Sequence, residues 1–131
     1  VLWPNSKYYI SENPLNNNSL VCKLMYKDFS MLFTGDIEGI AEKEILKIYK
    51  DKLKSDVLKV AHHGSKTSTS KEFLEVVSPQ MALIGVGENN KFGHPNESTL
   101  KRLIDIRCQV YRTDENGEIV LKRGRSTLEH L

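Results

Sequence analysis

The chain has 131 residues, 39% hydrophobic and 27% charged, which suits one soluble globular domain with a real core and is short for two. Its net charge of +2, from lysines spread along the chain, neither demands nor excludes a polyanionic partner. No apolar run approaches the roughly 18 residues that cross a bilayer, and no signal peptide is visible, so a chain starting at Val1 reads as an excised domain.

Residues 1–18 are irregular, and Asn13-Pro14 and Asn16-Asn17-Asn18 are turn chemistry. They predict a surface loop pinned by Trp3 and by Tyr8 or Tyr9. Residues 19–27 and 29–34 alternate as two strands around Lys27-Asp28, a hairpin with apolar residues on both faces and hence burial on both sides. From Glu38 to about Lys50, Ile37, Ile40, Ala41, Ile45, Ile48 and Tyr49 recur at helical spacing. Acidic residues gather early and lysines late, as the helix dipole favours. A strand follows over 56–61. Thr69 with Glu72 fits a capping box for a short helix ending before Ser78-Pro79.

Residues 81–86 form a nearly continuous apolar run, as in a central strand. A glycine- and asparagine-rich loop leads to a helix capped by Asn96 or Ser98. Strands over 109–113 and 118–122 flank Asn116-Gly117, a strong hairpin signal. The tail from Gly124 reads as polar and frayed. Cys22 and Cys108 lie in or beside apolar runs and read as buried free thiols. The order β β α β α β α β β predicts an α/β domain with a mixed sheet.

Three predicted strands end in polar groups: Asp36 after Thr34-Gly35, His62-His63 before Gly64-Ser65, and His94 in the loop after the third. Asp36 reads as a helix cap or a metal carboxylate. His62 and His63, in an extended chain, would point to opposite sides, one to the rim and one into packing. Neutral imidazole and carboxylate together suit zinc and similar metals. Ser65, Lys66, Thr67 and Ser68 read equally as phosphate donors or as a solvated loop with a helix cap. His94 reads as a loop histidine fixed by Pro95 or as a proton donor at the rim. One aspartate and one or two histidines do not complete a catalytic metal site, which takes three protein ligands and an open position. The chain holds no His-x-His and no His-x-x-x-His.

Leu32-Phe33-Thr34-Gly35-Asp36, Asp56-Val57-Leu58-Lys59-Val60-Ala61-His62-His63-Gly64-Ser65, Gly93-His94-Pro95 and Tyr111-Arg112-Thr113-Asp114 with Gly117 stand in order. With Asn18-Ser19-Leu20-Val21 they resemble the metallo-β-lactamase-like domain of ComEC-type competence proteins, across roughly residues 15–122. The resemblance implies the C-terminal half of an αββα sandwich with a two-metal hydrolase centre of zinc or manganese. It implies Asp36 as the carboxylate that bridges both metals and His63 as the next ligand. His62 would stand near the substrate, His94 would be an outer catalytic contact, and Ser65 would lie on the substrate side. The family's His-x-His-x-Asp-His motif and a later lone histidine belong upstream and are missing here.

The fragment alone is therefore expected to be inactive and to bind metal weakly or not at all. The implied partners are DNA, the missing N-terminal half of the domain, and a second copy docked through the sheet face which that half would cover. The organisation expected is an irregular segment over 1–18, a partial metallo-β-lactamase-like domain over 19–123 and a polar tail over 124–131. The implied parent sits in the bacterial cell membrane during DNA uptake, with this domain outside the bilayer on the extracytoplasmic face. Two alternatives remain: a soluble hydrolase of the same superfamily acting on another phosphorylated substrate, and a degenerate module that only binds DNA or protein.

Overall fold

The computed structural model describes residues 1–123 and 128–130. Alternating apolar residues build a five-stranded sheet in the spatial order β1-β2-β3-β4-β5. β1 (Cys22–Tyr26) and β2 (Phe29–Phe33) form the antiparallel hairpin expected around Lys27-Asp28. β3 (Val57–Lys59), β4 (Met81–Ile84) and β5 (Gln109–Arg112) then add in parallel. Helices α2 (Gly39–Tyr49), α3 (Lys71–Val77) and α4 (Glu97–Asp105) link the parallel strands, and α1 (Pro14–Asn17) is a single early turn. The fold is α/β with a mixed sheet and flanking helices.

The strand alternation gives the sheet two different faces. Leu32, Leu58, Ala82 and Ile84 pack against Ala41 and Ile45 of α2, Phe73, Leu74 and Val77 of α3, and Leu103 of α4. Burying side chains of this size contributes about 1.5–3 kcal/mol each. Trp3 belongs to this core. Its backbone bridges Val21 and its indole N–H donates to the Asn17 carbonyl at 2.8 Å. Tyr8 stacks on the Trp3 ring at 6.5 Å, while Tyr9 is exposed.

The opposite face carries Met31, Val57 and Met81, buried, with Phe29, Phe33, Leu83, Tyr111 and Leu121 only partly covered. Toward β1 the cover ends. Leu24 and Tyr26, paired with Met31 and Phe29, are exposed. Burial on both sides therefore holds for the central strands and fails for β1, because an edge strand has a neighbour on one side only. Of the two free thiols, Cys108 is buried, and burial pushes its pKa up to about 12, while Cys22 is half-buried.

Three expectations need correction. The cap of α3 is Ser70, whose hydroxyl accepts the Phe73 N–H at 3.2 Å, in place of the expected Thr69–Glu72 box. The Asn116-Gly117 hairpin does not form. Thr113–Asn116 is instead a helical turn, α5, because its side chains are already engaged: Asn116 accepts the Arg112 N–H and Asp114 holds the Arg112 guanidinium at 3.0 and 2.7 Å. β6 (Leu121–Arg123) then pairs with β7 (Leu128–His130) in a separate antiparallel sheet, so 128–130 is a strand where a frayed tail was expected. The rest of that tail, 124–127 and 131, lies outside the described residues.

One buried charge ties the helices together. Glu42 on α2 is fully buried and accepts the backbone N–H groups of Thr69 and, at 2.9 Å, Ser70. Arg102 of α4 acts on it as a counter-charge and donates to the Thr69 and Ser68 carbonyls at 2.9 and 3.0 Å. Burial pushes the Glu42 carboxyl above its ordinary range, against the opposing pull of the Ser70 and Thr69 hydrogen bonds and of Arg102. The folded state thus holds this proton more tightly than the unfolded chain. That contribution to stability is full below the ordinary glutamate pKa and is lost as pH rises through the raised one. Glu42→Gln should flatten that part of the pH–stability curve. Glu42→Ala strips the Thr69 and Ser70 N–H groups of their acceptor and Arg102 of its counter-charge, and should lower stability by about 3 kcal/mol. Urea denaturation checks both, as a lowered midpoint at unchanged slope; an unmoved Glu42→Ala midpoint would refute the role given to this carboxylate.

Candidate functional site

Parallel strands deliver their C-terminal ends to one edge of a sheet, where ligands of open α/β folds bind. Here β2 ends at Gly35-Asp36, β3 leads to His62-His63, and β4 opens the 85–96 loop that carries His94.

After β3 the chain does not stay extended. His62 (φ 49°), His63 (φ 55°) and Gly64 (φ 83°) are all left-handed. For the two histidines this costs about 1–2 kcal/mol each. Four hydrogen bonds hold the turn. His62 N–H donates to the Gly35 carbonyl, Ser65 N–H to the His62 carbonyl and Asn96 N–H to the Gly64 carbonyl, each at 2.9 Å. The Thr99 hydroxyl donates to the Ser65 carbonyl at 3.0 Å. The chain here is not extended, which the opposite-facing arrangement of the two rings assumed. Their centroids are 6.5 Å apart, and His62 lies 5.5 Å from His94, edge to face.

His63 Nδ1 lies 2.6 Å from the Gly85 carbonyl oxygen. A carbonyl only accepts, so Nδ1 carries the proton, and in the neutral ring the lone pair is left on Nε2 of an exposed side chain. That is how a metal-ligating histidine is oriented by its surroundings. The Asp36 N–H donates to the Ser19 hydroxyl at 2.9 Å. Its half-buried carboxylate accepts no hydrogen bond among the described residues and acts on the Lys59 ammonium as a counter-charge. Burial pulls the Lys59 pKa down and Asp36 opposes that pull. Asp36 is not the cap of α2, because that position belongs to Glu38. By donor chemistry, Asp36 and His63 fit as two ligands of a metal centre. Among the described residues no group of three or more His, Cys, Asp or Glu converges to complete one.

His62 Nδ1 is buried without a hydrogen-bond partner among the described residues. Burial first, and then the like charges of His62 and His63, hold the His94 pKa below its ordinary value. Ser65 is only 6% exposed, and its hydroxyl pairs with that of Thr67 at 2.9 Å. Ser68 is buried and donates to the Ile37 carbonyl at 2.7 Å. In this arrangement both hydroxyls hold the loop. Sequence reasoning passed over Glu38. Its carboxylate accepts from the Thr67 hydroxyl and from Asn13, both at 2.6 Å, and lies within electrostatic reach of His62. Burial pushes the Glu38 carboxyl up, but the Thr67 and Asn13 bonds, the His62 charge and the Asn17 bond outweigh it and leave the pKa low. Its only sequence signal is its place two residues after Asp36. A cavity of about 160 Å³ opens beside the rim, lined by His63, Val86, Gly87, Asn90, Phe92 and His94.

No family model matches the chain. It is 42% identical over 104 residues to ComE operon protein 3 of Bacillus subtilis (strain 168), across 79% of this chain and 13% of that protein. It is 34% identical over 110 residues to Competence protein ComA of Neisseria gonorrhoeae, across 84% of this chain and 16% of the relative. It is 36% identical over 115 residues to Recombination protein 2 of Haemophilus influenzae (strain ATCC 51907 / DSM 11121 / KW20 / Rd), across 86% of this chain and 14% of the relative. The chain thus spans between 13% and 16% of the length of these relatives.

The left-handed turn makes Gly64 irreplaceable on two counts. A Cβ there would lie 2.6 Å from Pro95 Cβ, and φ is +83°. Gly87, on the same rim, has nothing within 4 Å of such a Cβ and no left-handed φ. Gly64→Ala should destabilise the chain by about 2 kcal/mol, while Gly87→Ala should leave stability within about 0.5 kcal/mol. Thermal denaturation of both variants checks this; equal effects would show that the turn is not tightly held.

Proposed function

We propose, from relatives that support a competence-related protein of the ComEC family, that this chain is the C-terminal half of a metallo-β-lactamase-like αββα domain that hydrolyses DNA phosphodiesters during DNA uptake. One observation carries the hydrolase part: the His63 Nδ1–H bond to the Gly85 carbonyl, which leaves a lone pair on Nε2 at a rim shared with Asp36. The names of two relatives, one of competence and one of recombination, support the DNA part.

In this reading Asp36 and His63 hold divalent metal, and ligands from the N-terminal half complete the set. Zinc or manganese there would supply positive charge to polarise the phosphoryl group and make water more acidic. His62 and His94 face the phosphodiester. The lowered proton affinity of His94 makes its protonated form a readier proton donor to the substrate. Glu38 braces the 65–68 loop through Thr67 on the same side. Ser65 acts on the substrate side through the loop that its hydroxyl holds.

Among the described residues no helix is long and apolar enough to cross a membrane. The reading places the parent in the bacterial cell membrane with this domain outside the bilayer, on the extracytoplasmic face.

In a longer polypeptide carrying the upstream histidines, Asp36→Asn and His63→Ala should each lower manganese- or zinc-dependent cleavage of DNA by at least about 100-fold. Calorimetry should show metal binding lost in parallel. A longer polypeptide that binds DNA but cleaves none of it with either metal would leave a binding module in place of an enzyme.

The half-covered sheet face supports the missing half as a partner. Without it, the exposed Leu24 and Tyr26 beside the half-buried Phe33 and Leu83 form an apolar face of the kind that monomers seldom leave open. The isolated chain should self-associate through this face at micromolar concentration, and Leu24→Lys should reverse it. Sedimentation velocity reads the outcome; a strict monomer in the wild type counts against the assignment of this face.

A further inference from the structure

We propose that Phe92, next to His94, is a stacking platform for one unpaired base of single-stranded nucleic acid at the mouth of the cavity beside the histidine rim. The proposal rests on the nucleic-acid part of the function proposed above and goes beyond it by naming a base subsite.

Phe92 is 80% exposed, so core packing does not explain where it stands. Its ring lies 5.9 Å from that of His94 with 26° between the planes, a stacked arrangement. The two rings lie side by side near parallel, and most of the phenyl surface is left to solvent. A flat, exposed aromatic face is what an unpaired base stacks on, with little regard to sequence, since every base has such a face.

The loop is built to hold this pose. Asn90 accepts the Phe92 N–H at 3.2 Å and the His94 N–H at 3.0 Å through one oxygen. Its amide nitrogen donates to the His94 carbonyl at 2.6 Å and to the Gly87 carbonyl at 3.3 Å. Thr113 locks the start of the loop: its hydroxyl accepts the Val86 N–H at 2.7 Å and donates to the Val86 carbonyl at 2.8 Å. An aromatic side chain held in advance loses little freedom on binding.

The cavity of about 160 Å³ is the size of one heterocycle and is too small for a peptide helix. Its lining joins Phe92 to His63 and His94, so a base seated there would set the neighbouring phosphodiester against the rim. Lys91, exposed beside Phe92 in the chain, can follow the backbone phosphates.

The test is equilibrium binding in EDTA, by fluorescence anisotropy, with a short oligothymidylate and an abasic deoxyribose-phosphate oligomer of equal length. The wild type should prefer the oligothymidylate by about 10-fold. Phe92→Ala should abolish that preference and leave the abasic affinity unchanged, and Phe92→Tyr should restore it. Both substitutions are at an exposed position and should leave the melting temperature unmoved. Equal affinity of the wild type for the two oligomers, failure to bind either, or a preference that survives Phe92→Ala would overturn the platform. Since no metal is present, loss of the cleavage proposal would leave this result standing, and the reverse also holds.

Discussion

The left-handed turn at His62-His63-Gly64 is the constraint on which the candidate site depends. Two non-glycine residues in that region are unfavourable by themselves. They persist because three separate elements bond to the turn: the end of β2 through Gly35, the entrance to α4 through Asn96, and α4 itself through Thr99. Each of those bonds needs the parallel alignment of β2, β3 and β4 to bring its partner close. Strain at the turn is thus sustained by the whole sheet, as is usual where unusual backbone sits at a functional rim. In return, the rings of two adjacent histidines lie 6.5 Å apart, with His62 also 5.5 Å from His94.

Most of the scaffold was legible as pattern. The apolar runs at 31–34, 56–61 and 81–86 located the parallel strands, and the periodicity after Ile37 located α2 to within a residue or two. The features that sequence missed are those decided by distant partners. Glu42 sat in a charged first turn and looked like a dipole contribution, yet it is buried because Thr69, Ser70 and Arg102, far along the chain, converge on it. Asn116-Gly117 carried a real hairpin signal, but local bonds to Arg112 captured the turn residues first. Trp3 was legible as a pin for a segment without periodicity, but not that its indole would fill the main core.

The site divides in the same way. That His62, His63 and His94 would lie close together followed from where the apolar runs stop, and Asp36 follows the neighbouring strand end. How each is used did not follow. Asp36 taken alone read first as a helix cap, but Glu38 occupies that position. The hydroxyls of the 65–68 loop read equally as phosphate donors or as a solvated loop with a helix cap, and Ser65 and Ser68 are bonded within the protein. A serine's preference for capping and for binding phosphate comes from the same short hydroxyl, so composition alone does not separate the two uses.

Gly85 shows why these parts are not independent. Its carbonyl fixes the proton on His63 Nδ1, and with it the lone pair on Nε2. Its missing side chain leaves room for Lys59, whose Cε would be only 3.3 Å from a Cβ there. Lys59 in turn stands opposite the Asp36 carboxylate. Gly85 also opens the loop that Thr113 and Asn90 stiffen and that carries Phe92 and His94. The need here is for space, since Gly85 has no left-handed φ to demand glycine. A single backbone unit at the end of β4 therefore sets the tautomer of one histidine, the approach of one cation and the origin of one loop. Ligand orientation and substrate-side geometry at this rim are consequences of the same strand end, so a shift of β4 against β3 would disturb both together.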